Sequence, residues 1–525
     1  MGVKAIAKDQ TGGILLLADQ PFQLLLMGEV AKNLKLQGQS VSILLTDLYT
    51  FIYGPDLIEK VSDEVGLPVL NFQSNFQSWQ SKGEPRDEKW QQAERILLKY
   101  SNIKSCGRDL ETIRKTDSHT NGFEFSSWYL EISKKWSDVA HAEIMARCEE
   151  ILGHVRPRLI VSIDNCQFAT NVIHAMSRGK SQFITFQNSR IGTRWIARFN
   201  LAYGSHKLES PFVLQNETTL ENQIKAQNLI DSYFSSGDPI YASPGLELVS
   251  DFRFGQKKLR SKSIENILRE IRFLSLHVPR SVITGPRTRK IRVRRFDQNH
   301  LKIQRFELKR RLKNFVIDKG EEISNFNTSN YFFYALHYRP EGSGLVLGHG
   351  EDEILRIVET CKILEGLNQM LVIKEHPLMY GTRDKKDLKV LSQITNLKFA
   401  KRFSNSREWV RKSLGVIGIS GTVLLEAAIL KKPSFAFGAP EFIETIYSHS
   451  DLDLETFVSR CVAGSLPSKE RELLDYISLV IANSTDSDTP LNPLQSWEKM
   501  GSDVNRMSKI LINLVEKGSD GYTNY

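Results

Sequence analysis

The sequence predicts a parallel α/β protein. It has two doubly wound domains facing a cleft, a helical insertion in the first, and a long helix at the C-terminal end. Three observations carry this. Short apolar runs alternate with segments of helical apolar spacing. The alternation occurs twice, in residues 13–186 and again in residues 331–437. One strongly basic stretch lies between the two blocks.

In the first block Gly13–Ala18 (GILLLA) reads as a strand, broken by the turn-forming ADQPFQ. Phe22–Leu36 has helical spacing, Val41–Leu45 is the next strand, and another ends near Val69–Leu70. Residues 72–153 are rich in Trp, Lys, Glu and Gln and read as a helical insertion with polar loops. Arg158–Ile163 is a strand, Asn165–Arg178 a helix and Gln182–Phe186 a strand. In the second block YFFYAL is a strand, Glu351–Leu367 a helix and Met370–Lys374 a strand. Leu397–Ala400 is a short strand, Ser406–Lys412 a short helix and Gly415–Ile419 a strand. Thr422–Leu430 is a helix, Ser434–Phe437 a strand, and Trp497–Lys517 a long amphipathic helix. Short buried strands alternating with helices pack as a parallel sheet covered on its faces. The predicted division is a first domain at 1–255, a basic linking segment at 256–328 and a second domain at 329–525.

Length and composition agree with this. A chain of 525 residues accommodates two or three domains. A hydrophobic fraction of 41% and a charged fraction of 25% exclude a disordered, collagen-like or disulfide-framework protein. The five cysteines, at 106, 148, 166, 361 and 461, form no CxxC pair and no zinc spacing. They suit core thiols in a reducing compartment. MGVKAIAKDQ lacks the apolar core of a secretory signal, and Ile6 stands where a myristoylation signal needs Ser or Thr. No run reaches the roughly 18 apolar residues a spanning helix needs. The expectation is a cytoplasmic protein, at most peripheral on the inner membrane.

The net charge of +9 is unevenly spread. Residues 256–319 hold 20 Lys+Arg against 5 Asp+Glu, a surplus of +15, which leaves −6 for the rest. The densest parts are RTRKIRVRR (Arg287–Arg295) and LKRRLK (Leu308–Lys313). One reading is a solvated linker with ordinary helix faces. The other is attraction to an anionic membrane surface or a polyanionic substrate, where each cation contributes about 1 kcal/mol. No RRM, KH, zinc-finger or interleaved aromatic pattern supports nucleic acid as a partner.

In open α/β sheets ligands sit beyond the carboxyl ends of the strands. Three segments of the second block put chemistry there. YALHYRPEGSG places His337, Arg339, Glu341 and Ser343 after a strand, with Gly342 and Gly344 making the turn pliable; by itself it is also an ordinary polar loop. MLVIKEHP places Lys374, Glu375 and His376 at a strand end stopped by Pro377; Lys and His donate well to phosphate oxygens. GVIGISGTVLLEA runs a strand through Ser420, Gly421 and Thr422 directly into a helix. A helix N-terminus carries about half a positive charge and suits a phosphate. Glu426 follows one turn later, where a carboxylate can accept from ribose hydroxyls. Simple N-capping by Ser or Thr is the alternative.

LHYRPE, VIKEHP and ISGT–LLEA–KKP–FG, in that order, resemble the capsule polysaccharide biosynthesis family. This is a group of GT-B-type glycosyltransferases that includes bacterial Kdo transferases. The resemblance is clearest over 330–440 and extends more weakly through ADQPFQ, SIDN and FQNSRIGTRW. It implies two Rossmann-like domains in a GT-B-like arrangement and a metal-independent, inverting transfer with no cofactor. It also implies that His376 and Pro377 contact the donor phosphate, Ser420 and Thr422 the phosphate or base, and Glu426 the ribose. The same layout resembles the non-hydrolysing nucleotide-sugar 2-epimerases. ADQPFQ and Ser-Gly-Thr depart from the epimerase pattern of Gly-Thr-Arg-Pro-Glu and Ser-Gly-Gly.

A transferase also needs a base for the acceptor hydroxyl. Asp19 and Asp164 each follow a first-block strand, and either is equally placed to cap the next helix. Gln20, Gln187, Arg190 and Arg194 are candidate acceptor ligands, and exposed arginines are as readily solvated. Two D-x-D patterns, Asp451/Asp453 and Asp486/Asp488, read as acids near helix starts rather than metal ligands. The expected function is transfer of a sugar from a nucleotide donor, CMP-Kdo-like or a UDP-sugar, to a bacterial surface polysaccharide or its lipid-linked precursor. The basic segment would rest on the anionic inner leaflet. The alternatives are a 2-epimerase-like enzyme and a non-catalytic assembly protein on the same fold.

Overall fold

A computed structural model describes residues 12–19, 21–46, 55–72, 84–105, 108–116, 134–163, 168–192, 194–200, 212–214, 216–236, 320–321, 323, 330–337, 352–376, 383, 385–401, 404–485 and 497–516. The basic stretch 256–319 lies outside these residues, as do Gln20, Asp164, Arg339, Glu341, Ser343 and Pro377.

The first half of the chain runs β1 (Ile14–Ala18), α1 (Pro21–Leu36), β2 (Val41–Leu45), α2 (Pro55–Val65) and β3 (Val69–Leu70). The insertion follows as α3 (Asp87–Tyr100), a hairpin of β4 (Lys104–Ser105) and β5 (Arg108–Asp109), α4 (Leu110–Thr116) and α5 (Lys134–Val155). Then come β6 (Leu159–Ile163), α6 (Phe168–Ser177), β7 (Gln182–Asn188), β8 (Trp195–Phe199) and α7 (Leu220–Ser236). Strands β1, β2 and β6 are buried at every position because helices cover both faces. Alternation sends Ile14, Leu16 and Ala18 into one core with Leu26, Val30 and Leu34 of α1. Leu15 and Leu17 enter the opposite core with Val139, Met145 and Ile151 of α5.

The second half runs β9 (Tyr331–Ala335), α8 (Glu353–Gly366), β10 (Met370–Lys374), α9 (Lys385–Ser392), β11 (Leu397–Phe399) and α10 (Ser406–Lys412). It continues through β12 (Gly415–Gly418), α11 (Thr422–Ile429), β13 (Ser434–Ala436), β14 (Tyr447–Ser448), α12 (Leu454–Val462) and α13 (Glu470–Ala482). Residues β15 (Ser484–Thr485) and α14 (Trp497–Glu516) close the described chain. The aromatic run of β9 splits the same way as β1: Tyr331 and Phe333 pack with Trp409 and Val416, while Phe332 and Tyr334 pack with Ile357 and Phe457.

Strand order fixes where a ligand can sit. The first sheet is ordered β15-β8-β7-β6-β1-β2-β3, with β7 through β3 parallel. The second is ordered β11-β10-β9-β12-β13-β14, all parallel. The winding direction reverses between β1 and β6 in the first sheet and between β9 and β12 in the second. Each reversal is a topological switch point, where neighbouring strand-end loops diverge and leave a crevice. Both bodies are therefore doubly wound and Rossmann-like.

The two halves exchange elements. Helix α7 follows the first sheet, yet Ala226 and Tyr233 lie in one core with Leu473, Tyr476 and Val480 of α13. Arg407 and Arg411 of α10 donate to the last α7 carbonyls, those of Tyr233 and Phe234, where the helix dipole favours cations. In the other direction β15 pairs antiparallel with β8. Helix α14, expected within the second domain, instead buries Val504, Met507 and Leu511 against the α1 side of the first sheet. Trp195 Nε1 donates to Asp503 there at 2.9 Å. The amphipathic spacing predicts the helix correctly, and only the fold says which body it covers.

Candidate functional site

The second switch point carries the densest chemistry. His337 follows β9, Glu375 and His376 follow β10, and Ser420 and Gly421 follow β12. Because β9 lies between β10 and β12, these three ends are adjacent. His337 Nε2 accepts from the Ser420 N–H at 3.4 Å. Gly421 is the N-cap of α11, with no side-chain cap bond to that helix. A Cβ on Gly421 would meet the His337 ring at 3.4 Å, ordinary contact, and its φ of −67° is open to any residue. Crowding and backbone strain therefore do not demand glycine. What its missing side chain does is leave the first turn of α11 uncovered by a cap, the arrangement that suits an incoming anion.

An arginine binds these ends together. Arg383 forks onto Glu375, with Nε to Oε2 at 2.6 Å and Nη2 to Oε1 at 3.0 Å. Its Nη1 donates to Glu353 Oε2 at 3.1 Å and its Nη2 to the His337 carbonyl at 2.9 Å. Glu353, the first residue of α8, accepts the His337 N–H at 2.8 Å, and Glu375 accepts the His376 N–H at 2.8 Å. The Arg383 side chain is only 2% exposed. Burial pushes the Glu375 carboxyl up, and the hydrogen bonds of Arg383 pull against it. Burial opposes the charge on Arg383, and Glu375 and Glu353 overcome that to hold it protonated.

Two residues read as donor ligands have protein partners. Lys374 is buried and donates to Ser406 Oγ at 2.9 Å. Glu426 faces Tyr233 of α7, whose hydroxyl is pushed up by burial first and by the Glu426 charge next. Thr422 is half-buried at the start of α11.

At the first switch point Asp19 follows β1 and is 1% exposed. Its Oδ1 accepts from Thr46 Oγ1, beyond β2, and from Thr170 Oγ1 of α6 at 2.5 Å. Its N–H donates to Gln23 Oε1 at 2.6 Å, a reach back from the first turn of α1 like that of a capping box. The carboxylate is thus held by one hydroxyl beyond β2 and one from the first turn of α6.

Three of the candidate acceptor ligands, Gln187, Arg190 and Arg194, lie at a seam between the bodies. Gln187 Nε2 donates to Glu441 Oε2 at 3.0 Å, and Arg190 Nε lies 3.8 Å from Glu441 Oε1. Glu441 follows β13 and its side chain is 4% exposed. These two side chains therefore engage a carboxylate of the other body. Arg194 donates to Ser484 Oγ at 3.3 Å. Asp453 caps α12 by accepting the Thr456 N–H at 2.7 Å, and Asp451 pairs with Lys469 at 3.3 Å. Among the described residues no cluster of three or more His, Cys, Asp or Glu is arranged to hold a metal ion. Among them also, no helix is long and apolar enough to cross a membrane.

Arg383, Glu353, Glu441 and Tyr233 escape a reading of sequence. Their roles come from partners 8 to 254 residues away. The one local signal is the Asp352-Glu353 pair opening an amphipathic run, and it reads as a cap alone, which Asp352 indeed supplies.

No family model and no curated protein matches the chain. Among solved structures it is similar to a β-Kdo 2,4 transferase, KpsC of Thermosulfurimonas dismutans, at 10% identity and a TM-score of 0.35, covering 68% of this chain and 88% of that one. It is similar to the calicheamicin glycosyltransferase CalG4 at 10% identity and a TM-score of 0.28, covering 96% and 99%. It is also similar to a UDP-GlcNAc 2-epimerase of Methanocaldococcus jannaschii at 15% identity and a TM-score of 0.25, covering 95% and 99%.

Proposed function

We propose that the protein is a metal-independent glycosyltransferase. It moves a sugar from a nucleotide-sugar donor to a bacterial surface polysaccharide, such as capsule, or to its lipid-linked precursor. The observation that carries this reading is the meeting of His337, His376 and the uncapped start of α11 at one switch point. A donor phosphate there receives the backbone N–H groups of the first turn of α11, its helix dipole and the His376 imidazole. Those groups gain strength as negative charge develops on the departing phosphate. The motif resemblance favours the same reading, and with it an inverting displacement and a CMP-Kdo-like or UDP-sugar donor.

In this mechanism the acceptor hydroxyl attacks the anomeric carbon as the bond to the nucleotide phosphate breaks. Asp19, at the opposing switch point, takes the hydroxyl proton. Glu426 accepts from the ribose hydroxyls beside its contact with Tyr233. The stretch 256–319 rests on an anionic membrane surface, so washing membranes with high salt releases the protein.

The test is incubation of nucleotide sugars with and without lipid-linked acceptor. Nucleotide release that requires acceptor supports transfer. Turnover of the nucleotide sugar alone overturns it in favour of epimerisation. Nucleotide binding without turnover, unchanged by Asp19→Ala, overturns it in favour of a non-catalytic assembly protein.

A further inference from the structure

We propose that Arg383 is a positioning residue that sets the donor site, acting through His337 and Glu375 rather than by touching the donor. The proposal rests on the reading that the nucleotide phosphate lies at the second switch point.

Three strand ends must hold still together for that site to exist; Arg383 bonds two of them directly and is linked to the third through His337. Its Nη2 holds the His337 carbonyl while Glu353 holds the His337 N–H, so this peptide is fixed from both sides. The ring of the same residue takes the Ser420 N–H, which carries the restraint to the start of α11. Its fork on Glu375 fixes the carboxylate that holds the His376 N–H. A planar fork with five donors fits two carboxylates and a carbonyl at once, and lysine cannot copy it. The cation also keeps two buried carboxylates compatible, since the Glu353 charge acts to raise Glu375.

Purely structural glue would behave differently. Losing glue lowers the folded fraction, and hence apparent kcat, while the molecules that remain folded keep their affinity for donor. Losing a positioning residue weakens donor binding in the folded molecules and leaves the acceptor side alone.

The experiment uses the full chain and three forms: native, Arg383→Met, and Arg383→Met combined with Glu353→Gln and Glu375→Gln. The triple variant removes the two stranded charges and keeps an amide oxygen to accept each N–H, so it separates folding from positioning. Nucleotide affinity is read by calorimetry with CMP, CDP, UDP and GDP, and thermal unfolding is read beside it. Donor and acceptor KM are measured where turnover allows.

The expected result is that the triple variant regains most of the thermal stability lost by Arg383→Met. It still binds nucleotide at least tenfold more weakly than native, with donor KM raised and acceptor KM within twofold. A folded triple variant with native affinity overturns the proposal and leaves Arg383 as structural glue. Native protein that binds none of the four nucleotides overturns the donor-site reading and this proposal with it. The native measurement alone tells that case from the first.

Discussion

The two switch points are built on one plan and finished differently. At the first, a single carboxylate, Asp19, is steadied by the hydroxyls of Thr46 and Thr170. At the second, two carboxylates, an arginine fork and two histidine backbones interlock beside an uncapped helix start. Hydroxyls hold a carboxylate in place without neutralising it, which suits a group that must accept a proton. The second site spends its carboxylates on an internal cation and leaves the first turn of α11 without a side-chain cap, which suits an anion. On the proposed function, the contrast is a division of labour in which the first site would take the proton and the second would hold the leaving group.

The sharpest way to break that contrast is Asp19→Asn, which keeps shape and removes the charge. Loss of a general base costs about 10²–10⁴-fold in rate. The expected outcome is that loss in acceptor-dependent turnover with nucleotide affinity unchanged. Unchanged turnover would reduce Asp19 to a post joining β1, β2 and α6.

Next is the seam. Glu441→Ala removes the shared partner of Gln187 and Arg190. Leaving buried polar groups unsatisfied costs about 1–3 kcal/mol each. Calorimetric unfolding should show a lower midpoint, and the two bodies should unfold less cooperatively. An unchanged thermogram would show that the exchanged elements hold the bodies together without this contact.

A third prediction concerns pH. His174 of α6 sits in the first-body core with Ser105 Oγ 3.0 Å from its Nδ1, and burial lowers its pKa to about 3. Its folded value lies below its unfolded one, so the unfolded chain takes the proton first. The stabilisation is complete above about pH 6.5 and fades as pH falls toward 3, by up to about 1.4 kcal/mol per unit. Denaturant midpoints for His174→Gln should show a shallower acid dependence than native. The smallest effect is Tyr233→Phe, which frees Glu426 of one hydrogen bond worth about 0.5–1.5 kcal/mol. If Glu426 serves ribose, nucleotide affinity rises several-fold; a fall would place the tyrosine on the nucleotide's side.

Most of this fold is legible in the sequence because the central strands, such as β1, β2, β6 and β12, are short apolar runs buried at every position. Val41–Leu45 and Met370–Lys374 match the observed strands to the residue, and β3 ends at Leu70 where a strand end is expected. The antiparallel return through β8 was hidden. The connection before it places Arg190 at φ 61° and Gly192 at φ 57°, and a positive φ on an arginine leaves no mark in the sequence. The exchange of α7 and α14 was hidden too, since an apolar stripe does not name the surface it covers. In the candidate site, the positions beyond strand ends were readable and the long-range partners were not. Arg383 is one of 70 Lys and Arg, and only folding brings it to Glu353 and Glu375.

The most direct test of the whole account compares nucleotide binding by His376→Ala and Asp19→Asn, measured by calorimetry against native protein with CMP, CDP, UDP and GDP. The account predicts that one of these nucleotides binds native protein, that His376→Ala loses it, and that Asp19→Asn keeps it. Equal binding by native and His376→Ala, or loss confined to Asp19→Asn, would contradict the assignment of the phosphate to the second switch point.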